Sequence, residues 1–213
     1  MITLPRARRA LGAVVVAALA FLAPRASSAQ YYAGFTYNLS FPTGDLQKFT
    51  DNESWLGFTF DGRRMKGPWG IGLTAGYNEF HTSTTDQIEL GNNGGAVSGE
   101  QYRHVLSFPM LIAADYFPRL ARGVQGPQPY LGLGAGTYYI RQRFEIGSVA
   151  FEEDNWHFGF MPEIGVAVPT GSGRMLTLSA RYHIPVNGGT YLGGDSRSYQ
   201  SVSIGVGFSY LKF

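Results

Sequence analysis

Cysteine is absent from all 213 residues of this chain, so no disulfide can brace it and no thiolate can bind a metal or attack a substrate. After the first two dozen residues no apolar stretch approaches the ~18 residues that mark a membrane-crossing helix. Helical periodicity is almost missing as well, which argues against a bundle. Glycine is what fills the gap. There are 29 glycines in 213 residues, about twice the usual ~7% share, alongside 13 tyrosines and 15 phenylalanines.

Residues 1–29 have their own logic. Arg6, Arg8 and Arg9 precede an apolar run from Ala10 to Ala23, and Ser27-Ser28-Ala29 close the segment. That is the layout of a cleaved signal peptide, and the run is short of the ~20 residues a spanning helix needs. Removing it takes four arginines from 17 basic residues and leaves 13 against 15 acidic ones, a formal charge of −2. The basic isoelectric point thus belongs to the precursor and gives no reason to expect a nucleic-acid partner. Residues 30–213 are the expected mature domain.

That domain alternates apolar and small residues with a period of two, eight times over. Tyr31, Ala33, Phe35, Tyr37, Leu39 and Phe41 interleave with Tyr32, Gly34, Thr36, Asn38 and Ser40. The same pattern recurs around Leu56–Asp61, Trp69–Asn78, Leu106–Tyr116, Leu131–Tyr139, Phe158–Val168, Leu176–Ile184 and Val202–Tyr210. Polar links are expected at about 42–54, 81–103, 145–155 and 186–200, and shorter ones at 62–68, 117–129 and 169–174. An even strand count with one set of long loops predicts an all-β, eight-stranded antiparallel up-and-down barrel. The minor face is mostly Gly, Ser, Thr and Ala, which suits a narrow lumen rather than a wet outer surface. The apolar face, often ending in Tyr, Trp or Phe, suits lipid with aromatic girdles, so the barrel is expected to be transmembrane.

On these segments, and on the terminal SIGVGFSYLKF with Phe208, Tyr210 and Phe213, the chain resembles the small eight-stranded outer-membrane barrels of the OmpA/OmpX type found in Gram-negative envelopes. The resemblance implies residence in the cell outer membrane among its lipids and lipopolysaccharide. It also implies delivery by periplasmic chaperones and recognition of the last strand by the barrel-assembly machinery. Phe213 is out of phase with Val202–Tyr210, so either a bulge near Tyr210–Leu211 or an exit from the membrane at Tyr210 is expected.

A few charges stand on the minor face. Glu163 and Arg181 fall at nearly the same height on adjacent strands and are expected to pair in the lumen, with Asp61, Asp115 and His183 as candidates for one polar network. His81, His104, His157 and His183 show no HxH or HExxH spacing, and neither a metal nor a cofactor is expected. RYHIPVNGG (181–189) is loosely similar to the His-x-Ser-Asn region of outer-membrane lipid A deacylases. Pro185 stands at the serine position and the phase turns His183 inward, so no catalysis is expected. Arg63, Arg64, Lys66, Arg119, Arg122 and Arg174 fall at the short-link end and most acids at the other. A non-enzymatic structural or surface role is the primary expectation. A narrow channel or carrier resembling the OmpW type is the alternative, and a lipid A-modifying enzyme is third.

Overall fold

Alternation becomes strand throughout a computed structural model that describes residues 30–85, 87–90, 95–98, 100–121, 126–147, 149–171, 173–186 and 199–212. The strands are β1 (Gln30–Gly44), β2 (Ser54–Lys66), β3 (Trp69–Thr84), β4 (Gln87–Leu90), β5 (Gly95–Ser98), β6 (Gln101–Tyr116), β7 (Gln128–Ile146), β8 (Val149–Gly171), β9 (Arg174–Pro185) and β10 (Tyr199–Lys212). Eight of them close a barrel in the order β1-β2-β3-β6-β7-β8-β9-β10 and back to β1, while β4 and β5 form a small separate hairpin. Every pairing is antiparallel, and the ring shuts where β1 meets β10 from Tyr31↔Lys212 to Gly44↔Tyr199. Two short helices, Asp45–Thr50 and Pro118–Ala121, complete the elements among the described residues.

The burial pattern is that of a soluble protein turned inside out. Phe208 is 71% exposed and Ile112 66%, whereas Asn38 and Ser203 are fully buried and Arg181 is 2% exposed. An outer wall of this composition would carry a large penalty in water and none in hydrocarbon. Aromatic pairs edge the wall at both ends: Trp69 with Tyr116 toward the chain termini, and Tyr139 with Trp156 toward the opposite end. These are the positions of interfacial girdles. The expected face of each strand is the observed one.

The strands run further than the alternation suggested. The link expected at 62–68 is only Gly67-Pro68, because β2 pairs with β3 out to Lys66↔Trp69. Proline fixes a negative φ at the second turn position, so the positive φ of 58° falls on Gly67, as a primed two-residue hairpin requires. Arg63, Arg64 and Lys66 are therefore strand residues rather than loop residues. The link expected at 145–155 is likewise the tip of a long β7–β8 hairpin paired out to Ile146↔Val149. Its polar and charged residues lie beyond the aromatic girdle, where a strand in water does not need an apolar face. The segment expected as a loop at 81–103 contains the β4–β5 pair.

The bulge expected near Tyr210–Leu211 is absent. The β1–β10 register holds without a shift through Tyr32↔Leu211, and Leu211 simply turns inward, 4% exposed. It finds apolar company there: Tyr32, Met65, Phe117, Tyr130, Ala167 and Met175 pack with it in one buried cluster, against which Leu120 of the four-residue helix also rests. Phe213 and the expected signal segment lie outside the described residues.

A second cluster, with Leu46, Phe80, Val105, Tyr138, Ile140, Met161 and Tyr199 among its members, fills the lumen toward the long-loop end. Leu46 and Thr50 are buried because the helix Asp45–Thr50 dips into the barrel mouth. Arg103 holds the helix there. Its guanidinium lies over the Phe49 ring at 5.5 Å and the Phe144 ring at 5.6 Å, and its Nη1 donates to the Phe49 carbonyl oxygen at 3.3 Å.

Candidate functional site: the lumen

Between the two apolar clusters lies a chain of alternating charge. Glu163 of β8 sits directly opposite Arg181 of β9, as the spacing predicted, and Arg181 Nη2 meets Glu163 Oε1 at 2.9 Å. The same Nη2 reaches Asp61 Oδ2 of β2 at 2.9 Å. Asp61 Oδ1 in turn holds Arg63 Nη2 at 3.0 Å, and Arg63 Nε holds Asp115 Oδ2 of β6 at 2.8 Å. The sequence Asp115–Arg63–Asp61–Arg181–Glu163 thus links four strands, and its Asp61–Arg181 step crosses the lumen over β1 and β10.

Neutral groups extend the network, while Asp115 Oδ1 and Arg181 Nε stay buried without a partner among the described residues. Tyr130 donates its hydroxyl to Glu163 Oε1 at 2.7 Å, Thr74 donates to Asp61 Oδ1 at 2.7 Å, and Arg181 Nη1 donates to Asn38 Oδ1 at 3.3 Å. Asn38 Nδ2 passes the chain on to Thr59 Oγ1 at 2.7 Å. All five charged residues are at most 7% exposed. Charges withdrawn this far from water persist only when paired and hydrogen-bonded. Here each carboxylate meets at least one guanidinium, and Asp61 meets two.

Small residues make room for this arrangement. Gly132 of β7 stands between Asp115 and Glu163 in the cross-strand row, and a Cβ there would come within 2.6 Å of Asp115 Oδ1. Gly165 does the same for Tyr130, whose hydroxyl would lie 2.6 Å from an added Cβ. The glycine face noted in the sequence is the space that bulky polar side chains on neighbouring strands occupy.

Four of the five expected lumen residues fall where the sequence placed them: Glu163 and Arg181 as a direct pair, Asp61 at the centre, Asp115 at one end. His183 also faces inward and is 3% exposed, but its one side-chain hydrogen-bond contact among the described residues is with Tyr138 rather than with a member of the ionic chain. Its ring meets Tyr138 edge-on at 6.0 Å, with the Tyr138 hydroxyl 3.4 Å from Nδ1. Arg63 is the residue that the sequence reading missed, having been assigned to a link. Continuing the odd-numbered inward face from Asp61 by one step finds it. Phe208 and Tyr210, the described part of the expected assembly signal, project from the outer wall.

Chemically the belt is a brace. It carries no grouping of three or more His, Cys, Asp or Glu side chains suited to a metal among the described residues. Ser201 stands opposite His183 in the β9–β10 ladder, but His183 Nε2 has no hydrogen-bond partner among those residues.

A closed antiparallel barrel with an apolar outer wall, aromatic rims and a buried polar lumen defines the chain as a transmembrane β-barrel. Residues 10–210 match the family described as outer membrane protein beta-barrel domain, and the chain belongs to that family. Solved structures similar to it include Ail, the attachment invasion locus protein of Yersinia pestis, in complex with the heparin analogue sucrose octasulfate. That likeness has 12% identity and a TM-score of 0.49, covering 86% of this chain and 100% of that one. Neisserial surface protein A is similar at 11% identity and a TM-score of 0.48, over 88% and 99% of the two chains. The outer membrane protease OmpT from Escherichia coli is similar at 8% identity and a TM-score of 0.49, over 88% and 98%. No curated protein matches the chain.

Proposed function

We propose that the protein is a non-enzymatic, non-conducting resident of the cell outer membrane whose working surface is the long-loop end. The single observation behind this reading is the filling of the lumen. An apolar layer built with the helix Asp45–Thr50, the ionic belt and a second apolar layer around Leu211 succeed one another along the axis. A dry apolar layer is a barrier to ions, and two in series leave the belt without a wet route to either side. A signal peptide over residues 1–29, termini on the periplasmic side, and Phe208, Tyr210 and Phe213 as the signal to the assembly machinery complete the reading. The loop end then faces outward, among lipopolysaccharide, for adhesion or envelope contacts.

Planar-bilayer recording on the purified barrel tests this. A silent bilayer at protein levels that give steps with a known porin is the expected result. Stable single-channel steps would favour the narrow carrier instead. Mass spectra of lipid A from expressing and non-expressing cells test the enzymatic alternative, and an acyl change lost with His183→Ala would overturn the non-enzymatic reading.

A further inference from the structure

Beyond the girdle formed by Tyr77, Phe108, Tyr139 and Trp156, strands β3, β6 and β7 continue past the membrane-facing zone. His81 of β3 and His104 of β6 are direct partners in the ladder there. Both project to the outer wall, His81 exposed and His104 half-buried. Their rings lie nearly parallel, 19° apart, with centroids separated by 6.1 Å.

We propose that His81 and His104 form a site for a divalent transition-metal ion of the zinc, nickel or copper class. Residues directly opposite in an antiparallel pair have Cβ atoms only ~4.5–5.5 Å apart, so two imidazoles can converge on one point. A tetrahedral ion held by one nitrogen from each ring, at ~2.0–2.1 Å, places the ring centroids roughly 5 Å apart. The observed separation is about one ångström longer, a gap that rotation of two surface side chains closes without moving the backbone. Imidazole is the donor that this class of ion prefers, and water completes the shell.

The charge around the pair is permissive. Glu79 lies two residues before His81 on the same face of β3, with one oxygen taking the Tyr77 hydroxyl at 2.6 Å. Arg143 of β7 is the ladder partner of His104 on its other side, and that guanidinium is already engaged by Glu145. The other two histidines cannot compete, since His157 and His183 are 1% and 3% exposed. No sequence spacing reveals the pair, because its members stand 23 positions apart with the β4–β5 hairpin between them; the register alone brings them together.

Calorimetric titration of zinc or nickel into the full-length barrel, purified without a histidine tag and held in detergent micelles, tests the proposal. One bound ion per barrel is expected. His81→Ala and His104→Ala should each weaken it at least tenfold, and the double variant should lose no more than either single one. Saturating metal should also raise the unfolding temperature of the wild type and leave both variants unmoved, with unheated gel mobility checking that each is folded. Failure of millimolar metal to bind the wild type, or equal binding by the double variant, overturns it.

Discussion

Asp61 takes both guanidiniums of the lumen, Arg63 on one carboxylate oxygen and Arg181 on the other, at 3.0 and 2.9 Å. Arg181 spans from Asp61 to Glu163 and so ties two opposite stretches of wall together. Its removal leaves two buried carboxylates each short of a partner.

Arg181→Met should therefore cost about 3–5 kcal/mol, the usual penalty for breaking a buried pair from one side. Glu163→Gln, which keeps an acceptor for Tyr130, should cost less. Combining the two should recover part of the loss, as urea unfolding of the barrel in lipid vesicles would register. A double variant worse than the sum of the singles would contradict the pairing.

Gly165→Ala should act through Tyr130. The added methyl would sit 2.6 Å from the phenol oxygen, so the ring must move off Glu163, at a cost of about 1–3 kcal/mol. Tyr130→Phe should then matter less in the Gly165→Ala background than in the wild type. Equal costs in both backgrounds would show that the ring accommodates the methyl without losing its bond.

Leu46→Ala should loosen the mouth. Leu46 is 2% exposed in the upper apolar cluster, and truncating a buried leucine costs about 2–5 kcal/mol, more than a six-residue helix can otherwise withstand. Limited trypsin digestion should cut after Lys48 at least tenfold faster, while the barrel strands stay resistant. Arg103→Ala, which releases Phe49, should have the same direction of effect.

The intact barrel should migrate faster on a gel unheated than boiled, and should fractionate with outer membranes. Recovery of the processed chain as a soluble periplasmic species would refute its placement in the membrane.

The strands were legible because lipid imposes a period of two that nothing else disturbs. Ile112, Leu131 and Phe208 must face out and Asn38, Thr74 and Ser203 must face in, so the parity of each segment fixes its face. Glu163 and Arg181 could be paired for the same reason, their heights following from the short turn between β8 and β9. Legibility failed where the constraint ended. Beyond the girdle Arg141, Arg143, Glu152 and Asp154 are strand residues in water, and their composition is that of a loop. Arg63 carries its charge close to a turn, the usual signature of surface, yet its odd position puts it on the inward face, 2% exposed. The phase break at the end of β10 needs no bulge because the lumen is apolar there and accepts Leu211.

The Asp61–Arg181 bond joins residues 120 positions apart, and the β1–β10 seam joins the first strand of the domain to its last. Asp61, Arg63 and Asp115 pair among themselves within β2 and β6, whereas the bond from Asp61 to Arg181 needs the last strands in place. Arg181 meets Asp61 only where β9 and β2 flank that seam. The strength of the bond therefore belongs to the closed ring as a whole and to no single hairpin within it.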